Sequence, residues 1–384
     1  MDIYQIMLPR KIRFGVGCLD AIGEEVKELA AKHAIIITDP GVFQAGLVYP
    51  VKEQLSRINL SVDVFSEAEP EPTLPKLNAV AEDLRKCNYD LVVGVGGGSS
   101  MDTAKGLSVL LAHGGKGQDY LGVNKVPKPG LPIFALPTTA GTGSEVTMIA
   151  VFGDPDGKVK SAIVSPYLLA RLALVDPSLT YSCPSKVTAA SGMDALVHAI
   201  ECYTSVKAND FTDALALEAM RLIIGNLRTA VNNGSDKEAR KYMSEGALIA
   251  GIAFGNASVT AVHALAYPLG MRFHVPHGVA NGLLLPYVME YNLSANLTKF
   301  AVIAKMLGAE TSGISIQKAA EKGVLAVKAL AADIGIPTQL RNLGVPIEAL
   351  EEMAVATMDI ERILVNNPKP LTLDDVRRIW QNAW

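Results

Sequence analysis

The sequence predicts an α/β domain over residues 1–178 followed by an all-helical domain over residues 179–384. Three observations predict it. Short β-branched runs alternate with amphipathic helical segments as far as about Ser178. One of those runs enters three consecutive glycines, Gly96, Gly97 and Gly98. Beyond Ser178 the β-branched runs become rare and helical periodicity takes over.

With 384 residues the chain is long enough for two cores. A composition of 49% hydrophobic and 19% charged residues describes a compact chain and excludes a disordered one. The net charge of −4 gives no electrostatic case for nucleic acid or for a membrane surface as a partner. Cys18, Cys87, Cys183 and Cys202 are scattered and form no CxxC pair, which predicts reduced thiols in a cytoplasmic protein. The opening MDIYQIMLPRKIRFG lacks the apolar core of a signal peptide, and no apolar run approaches the length of a membrane span.

Taken in order, Lys11 to Val16 reads as a strand. Cys18 to Lys32 reads as a helix with Leu19, Ile22, Val26 and Leu29 on one face. His33 to Thr38 (HAIIIT) reads as a buried parallel strand stopped by Asp39-Pro40-Gly41. A helix to about Arg57, a strand from Leu60 to Glu67, a helix from Leu74 to Cys87 and a buried strand from Tyr89 to Val95 follow. Leu131 to Leu136 is a further strand. Thr147 to Phe152 and Lys158 to Val164 suggest a hairpin across DPDG. Leu172 to Val175 closes the series. The helical half then reads Lys186–Tyr203, Asp210–Asn232, Lys237–Asn256 and Ala257–Leu269, with several more segments to the end.

In parallel sheets, ligands sit beyond the carboxyl ends of the strands. Two such ends carry chemistry here: Asp39 and the run Gly96-Gly97-Gly98-Ser99-Ser100. Glycine allows a tight turn and a close approach, and the free N–H groups of the following helix face an anion, naturally a diphosphate. The competing reading is a plain β–α turn with Ser99 or Ser100 as N-cap. The spacing is not a regular GxGxxG fingerprint. The carboxylate that ends a strand, Asp39, lies upstream rather than about twenty residues downstream. A second loop, Pro137 to Glu145 (PTTAGTGSE), suits contacts to ribose, phosphate or carboxamide. Lys160 is either a cation beside the cofactor or a surface residue.

In AASGMDALVH, Asp194 and His198 stand four residues apart and share a helix face. A carboxylate in so apolar a segment needs a partner. That partner is a divalent metal or, more simply, His198 itself inside a core. His263, His274 and His277 follow in VTAVHALAYPLGMRFHVPHGVANGLLLPYV, with His263 on a helix broken at Pro268 and His277 in a loop. Asp194, His198, His263 and His277 together supply one carboxylate and three imidazoles, a set suited to Fe²⁺, Zn²⁺, Mn²⁺ or Co²⁺.

Five ordered motifs, GGGSSMDTAK, PTTAGTGSE, GMDALVHAIE, HALAYPLG and HVPHGVAN, resemble the iron-containing (group III) alcohol dehydrogenase family, to which lactaldehyde reductase and 1,3-propanediol dehydrogenase belong. The resemblance covers essentially the whole chain. It implies a dehydroquinate-synthase-like fold, an NAD-binding α/β domain and a helical metal domain. It implies Asp194, His198, His263 and His277 as Fe²⁺ ligands, with Zn²⁺ as the other candidate. Gly96, Gly97, Gly98 and Ser99 become the diphosphate loop, and Asp102 of the same motif joins the cofactor set. Thr138, Thr139 and Thr142 lie beside the nicotinamide half, with Thr147 and Lys160 on the flanking hairpin. Asp39, with Glu71 nearby, faces the adenosine ribose, where a carboxylate accepts from the hydroxyls and repels a 2′-phosphate; NAD is therefore expected over NADP. A plain cap at the DPG turn is the competing role for Asp39.

The implied activity is hydride transfer between NAD and a small primary alcohol or diol, or the matching aldehyde, with the metal as Lewis acid on the substrate oxygen. A homo-oligomer, at least a dimer, is implied too. The alternatives are a zinc polyol dehydrogenase, a dehydroquinate-synthase-like lyase and an inactive metal- and nucleotide-binding scaffold. One position departs from the family: Tyr267 stands where several members have the second histidine of HxxxH. His274 is the candidate to supply an imidazole in its place. Ala150, Phe254 and Val259 are candidates for the alcohol pocket.

Overall fold

The computed structural model describes residues 3–153 and 160–384. It divides into two compact units, one spanning Ile6–Cys183 and one made of Pro184–Trp384 with the N-terminal segment up to Gln5.

Among the described residues the first unit has nine strands: β1 Lys11–Phe14, β2 His33–Ile37, β3 Ser61–Phe65, β4 Leu91–Gly96, β5 Gly122–Val123, β6 Ile133–Pro137, β7 Ile149–Gly153, β8 Lys160–Val164 and β9 Leu172–Val175. Its helices are α1 Ile22–Leu29, α2 Pro40–Gln44, α3 Val48–Ser56, α4 Leu74–Leu84 and α5 Gly98–His113. Six strands form a parallel sheet in the order β1-β9-β6-β4-β2-β3. The alternation of side chains along β2 divides the core. Ile35 and Ile37 pack with helices α4 and α5 on one face, while Ala34 and Ile36 pack with α1 and α3 on the other. From β2 the chain steps outward to β3, then crosses to β4 on the opposite side. The strand order therefore reverses between β2 and β4, the point where an open α/β sheet forms its ligand crevice. Asp39 follows β2 and the triple glycine ends β4.

A smaller sheet, β5-β8-β7, contains the expected hairpin as the antiparallel pair β7–β8. Its predicted DPDG turn lies outside the described residues. Two other expected elements differ. The helix expected over Cys18–Lys32 opens as a 3₁₀ turn at Cys18–Ala21, after Gly17 in the left-handed region at φ 82°. The helix expected to run to Arg57 is divided where Gly46 takes φ 78°, a conformation that ends α2.

The second unit is helical: α6 Ser185–Thr204, α7 Asp210–Asn232, α8 Lys237–Ala257, α9 Ala261–Phe273, α10 His277–Asn292, α11 Leu297–Met306, α12 Ile316–Asp333, α13 Leu350–Met358, α14 Glu361–Leu364 and α15 Leu373–Ala383. Helix α6 packs against α7, α8 and α10. The approach of α10 is close: a Cβ on Gly278 would stand 2.1 Å from the Ala190 carbonyl oxygen.

Two sequence expectations are corrected here. Pro268 does not break the helix that carries His263; α9 runs through it to Phe273. An interior proline costs about 3 kcal/mol, but every residue from Ala261 to Gly270 is buried. Packing of side chains such as Leu265 and Leu269, each worth about 2 kcal/mol on burial, outweighs it. Nor does His277 sit in a loop. Pro276, with φ −55° and ψ 136°, leads directly into α10, of which His277 is the first residue. Among the described residues no single helix is long and apolar enough to cross a membrane. The four cysteines form no disulfide.

Candidate metal centre and dinucleotide loops

Helix α6 brings Asp194 and His198 to one buried face, as a four-residue spacing requires. His263 enters from the first turn of α9 and His277 from the first turn of α10. The four converge. His263 Nε2 lies 3.0 Å from His198 Nε2 and 3.9 Å from Asp194 Oδ1, and His277 Nε2 is also 3.9 Å from Asp194 Oδ1. Asp194, His263 and His277 each offer a ligand atom within 4.8 Å of the others, and His198 joins them through His263. The His198 ring stacks on Phe254 at 4.1 Å between centroids, which fixes its plane. Burial works against the charge on Asp194, but His198, His277 and His263 and a hydrogen bond from Asn281 hold its carboxyl below the usual range.

The donor set fits a cation. Ligand nitrogens about 2.1 Å from a shared ion and at right angles stand about 3 Å apart, the spacing of the His198 and His263 nitrogens. One buried amide stands among three of these groups. Asn281 Nδ2 lies 2.6 Å from Asp194 Oδ1 and 3.1 Å from Nε2 of both His263 and His277. One amide nitrogen thus lies within hydrogen-bond distance of three of the converging side chains. A carboxylate with three imidazoles and no thiolate suits Fe²⁺ or Zn²⁺.

Two residues at this centre were missed in the sequence, and each had a signal. Glu201 Oε2 is hydrogen-bonded to His263 Nδ1 at 2.5 Å. It stands seven residues after Asp194, so positions 194, 198 and 201 follow one helical face. Asn281 stands four residues after His277, a helical spacing hidden while His277 was read as a loop residue. His274 does not join the cluster: it is exposed at the end of α9 in the left-handed region, φ 52°. Tyr267 lies beside His277, 6.0 Å between ring centroids.

In the α/β unit the glycine loop is shaped by contact. Gly96 has φ 153°, and a Cβ there would stand 2.4 Å from Ser100 Oγ; a Cβ on Gly98 would stand 2.9 Å from Thr142 Cγ2. Neither serine caps α5. The N-cap is Gly97, with no side-chain cap. Ser99 Oγ donates to the Pro70 carbonyl at 2.5 Å, and Ser100 Oγ donates to Asp39 Oδ2 at 3.1 Å. The plain-turn alternative therefore lacks the serine cap it expected. Asp39 caps the DPG turn, and its second oxygen has a separate partner. Oδ1 accepts from the N–H groups of Gly41 and Val42, capping α2, while Oδ2 reaches across the switch point to Ser100.

The second loop is tied to the first. The Thr138 N–H donates to the Gly96 carbonyl, Thr139 stands beside Gly97, and Thr142 packs on Gly98. Beneath them lies a polar cluster in which Asp102 and Thr147, expected beside the cofactor, join Lys105 and Ser144, which the sequence did not single out. Lys105 Nζ, fully buried, donates to Ser144 Oγ, Thr147 Oγ1 and the Ile149 carbonyl. Ser144 Oγ donates to Asp102 Oδ1, and the Val151 N–H donates to Asp102 Oδ2. Asp102 and Thr147 thus brace the loops from within. Lys160 is neither free nor on the surface: its side chain is 8% exposed and its Nζ is 2.5 Å from Glu71 Oε2. Of the pocket candidates, Phe254 touches the centre through His198. Ala150 is in the core of the α/β unit, and Val259 packs beside Ala264 and Ile363.

Residues 9–177 match the family model for iron-containing alcohol dehydrogenase, and residues 188–384 match the C-terminal model of the same family. The chain belongs to the iron-containing alcohol dehydrogenase family. Long-chain-alcohol dehydrogenase 1 of Geobacillus thermodenitrificans is 44% identical over 387 residues, covering 100% of this chain and 98% of the relative. The crystal structure of a 1,3-propanediol oxidoreductase superposes with a TM-score of 0.97 at 39% identity, covering 100% of both chains. That of sulfoacetaldehyde reductase from Bifidobacterium kashiwanohense in complex with NAD⁺ gives 0.88 at 32% identity, over 100% and 99%. The chain is accordingly an oxidoreductase of the alcohol dehydrogenase and aldehyde reductase kind, with the α/β and helical parts of that family.

Proposed function

We propose that this enzyme interconverts small primary alcohols or diols and their aldehydes, with NAD as the hydride carrier and Fe²⁺ held by Asp194, His198, His263 and His277. The observation that carries the reading is the convergence of these four side chains within a buried cluster. When bound, the ion supplies Lewis acidity to the substrate oxygen and NAD accepts or gives the hydride. The chain's own residues do the placing. Gly96, Gly97, Gly98 and Ser99 bring backbone N–H groups at the start of α5 to the diphosphate. Asp39 presents its outer oxygen at the switch point to the adenosine ribose. Thr138, Thr139 and Thr142 form the wall of the second loop, and Asp102 and Thr147 hold that wall through Ser144 and Lys105. Lys160 acts with Glu71 as a paired unit. The outer oxygen of Asp39 supports NAD over NADP, because a 2′-phosphate there would meet a carboxylate. In this reading residues 1–178 bind the dinucleotide, residues 179–384 bind the metal, and the enzyme works in the cytoplasm as a dimer.

The test is anaerobic purification with Fe²⁺, followed by NADH absorbance against a panel of short alcohols and diols, with His263→Ala in parallel. Losing several kcal/mol of Lewis-acid stabilisation should lower kcat/KM by at least about 100-fold in the variant. A wild type that binds NAD and metal yet turns over nothing in the panel would remove the substrate reading.

A further inference from the structure

Glu201 is a buried carboxylate, 2% exposed, to which the proposed ligand set assigns no role. Three groups meet it. Oε1 accepts from the Thr260 hydroxyl at 2.5 Å and from the Val262 N–H at 2.7 Å, and Oε2 lies 2.5 Å from His263 Nδ1. Part of this is structural. Thr260, the N-cap of α9, makes no side-chain cap of its own, and Val262 lies in that helix's first turn, so Oε1 does the capping from α6. One oxygen is enough for that. The second oxygen meets the ring of a proposed metal ligand.

Tautomer chemistry decides what this second contact does. An ionised carboxylate only accepts, so His263 Nδ1 must carry the proton. Nε2 then keeps its lone pair, and Nε2 is the atom that lies 3.0 Å from His198 Nε2 and 3.9 Å from Asp194 Oδ1. We propose that Glu201 is the positioning residue of the metal centre: it locks His263 in the Nδ1–H tautomer and aims Nε2 at the ion. The inference rests on the metal reading above. A ligand imidazole held through its other nitrogen is oriented and made more basic, and loss of such a partner typically weakens metal binding by about 10- to 100-fold.

Glutamine at 201 is the discriminating variant, because it keeps the volume but not the all-acceptor character. Its single oxygen can serve Val262 and Thr260 or His263, but not both sides. If the NH₂ faces His263, the ring must accept at Nδ1 and carry its proton on Nε2, where it blocks the metal.

The experiment uses the full-length protein, metal-free, with Co²⁺ as an optical probe, in wild type, Glu201→Gln, Thr260→Val and His263→Ala. ¹⁵N-histidine NMR of the metal-free wild type should show His263 protonated on Nδ1. Co²⁺ affinity should fall by about 10- to 100-fold in Glu201→Gln. It should be unchanged in Thr260→Val, which removes another Glu201 partner without touching His263. Equal Co²⁺ affinity in wild type and Glu201→Gln overturns the proposal. So does an Nε2–H tautomer in the wild type, a result that needs no variant to fold. If the wild type titrates with Co²⁺ no better than His263→Ala, the metal reading itself fails and takes this inference with it.

Discussion

Asp39 works in two directions, and the two can be separated by one substitution. Oδ1 caps α2 and Oδ2 meets Ser100 on the glycine loop. Asparagine is as good an N-cap as aspartate, so Asp39→Asn should change stability by less than about 0.5 kcal/mol. It removes the charge that a 2′-phosphate would meet, and like charges brought together cost several kcal/mol. The ratio of kcat/KM for NADP to that for NAD should therefore rise by about 10-fold or more, read from initial rates with both cofactors. An unchanged ratio would leave Asp39 as a cap alone. At this scale, what the sequence displayed was the side chains whose chemistry is unusual for their surroundings: Asp194 in an apolar helix and histidines clustered after residue 259. Glu201 and Lys105 stayed hidden because each is silenced by partners far away in sequence, Glu201 by residues about sixty positions on and Lys105 by residues about forty positions on. A single chain of letters does not show such pairings.

Elements are held to one another by contacts with little tolerance. Gly98 meets Thr142, where the two glycine-rich loops approach each other. Alanine at 98 would put its Cβ 2.9 Å from Thr142 Cγ2. Overpacking of this kind costs about 1–3 kcal/mol, and Gly98→Ala should also raise KM for NAD because the loops move apart. Thr142→Ser removes that methyl while keeping the hydroxyl that accepts from the Ser144 N–H. The double variant should regain most of the loss, with a coupling energy of about 1 kcal/mol or more from denaturant titrations of all four proteins. Strictly additive losses would mean that the contact does not set the loop spacing. The elements themselves were legible where a strand is a short buried apolar run: β9 begins and ends where the sequence reading put it, and β2 differs by one residue. The errors fell where local signals lost to packing or went unweighed. Pro268 reads as a helix breaker, yet it sits inside a helix buried along ten residues. Gly46 divides a helix that hydrophobic spacing alone would run together.

The stability of the whole molecule carries the cost of the polar cluster beneath the two glycine-rich loops. Burial pushes the Glu145 carboxyl up to about 7, with Lys105 only partly offsetting it, and pushes the Lys105 ammonium down to about 8; Asp102 is raised by burial too. Glu145 Oε2 has no hydrogen-bond partner among the described residues. The sign follows from which state binds the proton more tightly. Glu145 has a higher pKa folded than unfolded, so its contribution is fully present below the unfolded value of about 4.3 and is lost as pH rises through about 7. Over that window the folded state holds a proton that the unfolded state has released. Lys105 acts in the opposite sense, with stability returning as pH rises from about 8 towards its unfolded value. Glu145→Gln keeps the shape and removes the carboxyl titration. Relative to wild type, the variant should therefore gain about 3 kcal/mol between pH 4.5 and 7.5, since a shift of this size is worth about 1.4 kcal/mol per unit. Denaturant unfolding of both proteins at half-unit pH steps, without cofactor or metal, measures that difference. A flat difference across the window would mean that Glu145 is ionised in the folded protein throughout. The Lys105 ammonium would then have to balance a full carboxylate at the base of the two loops.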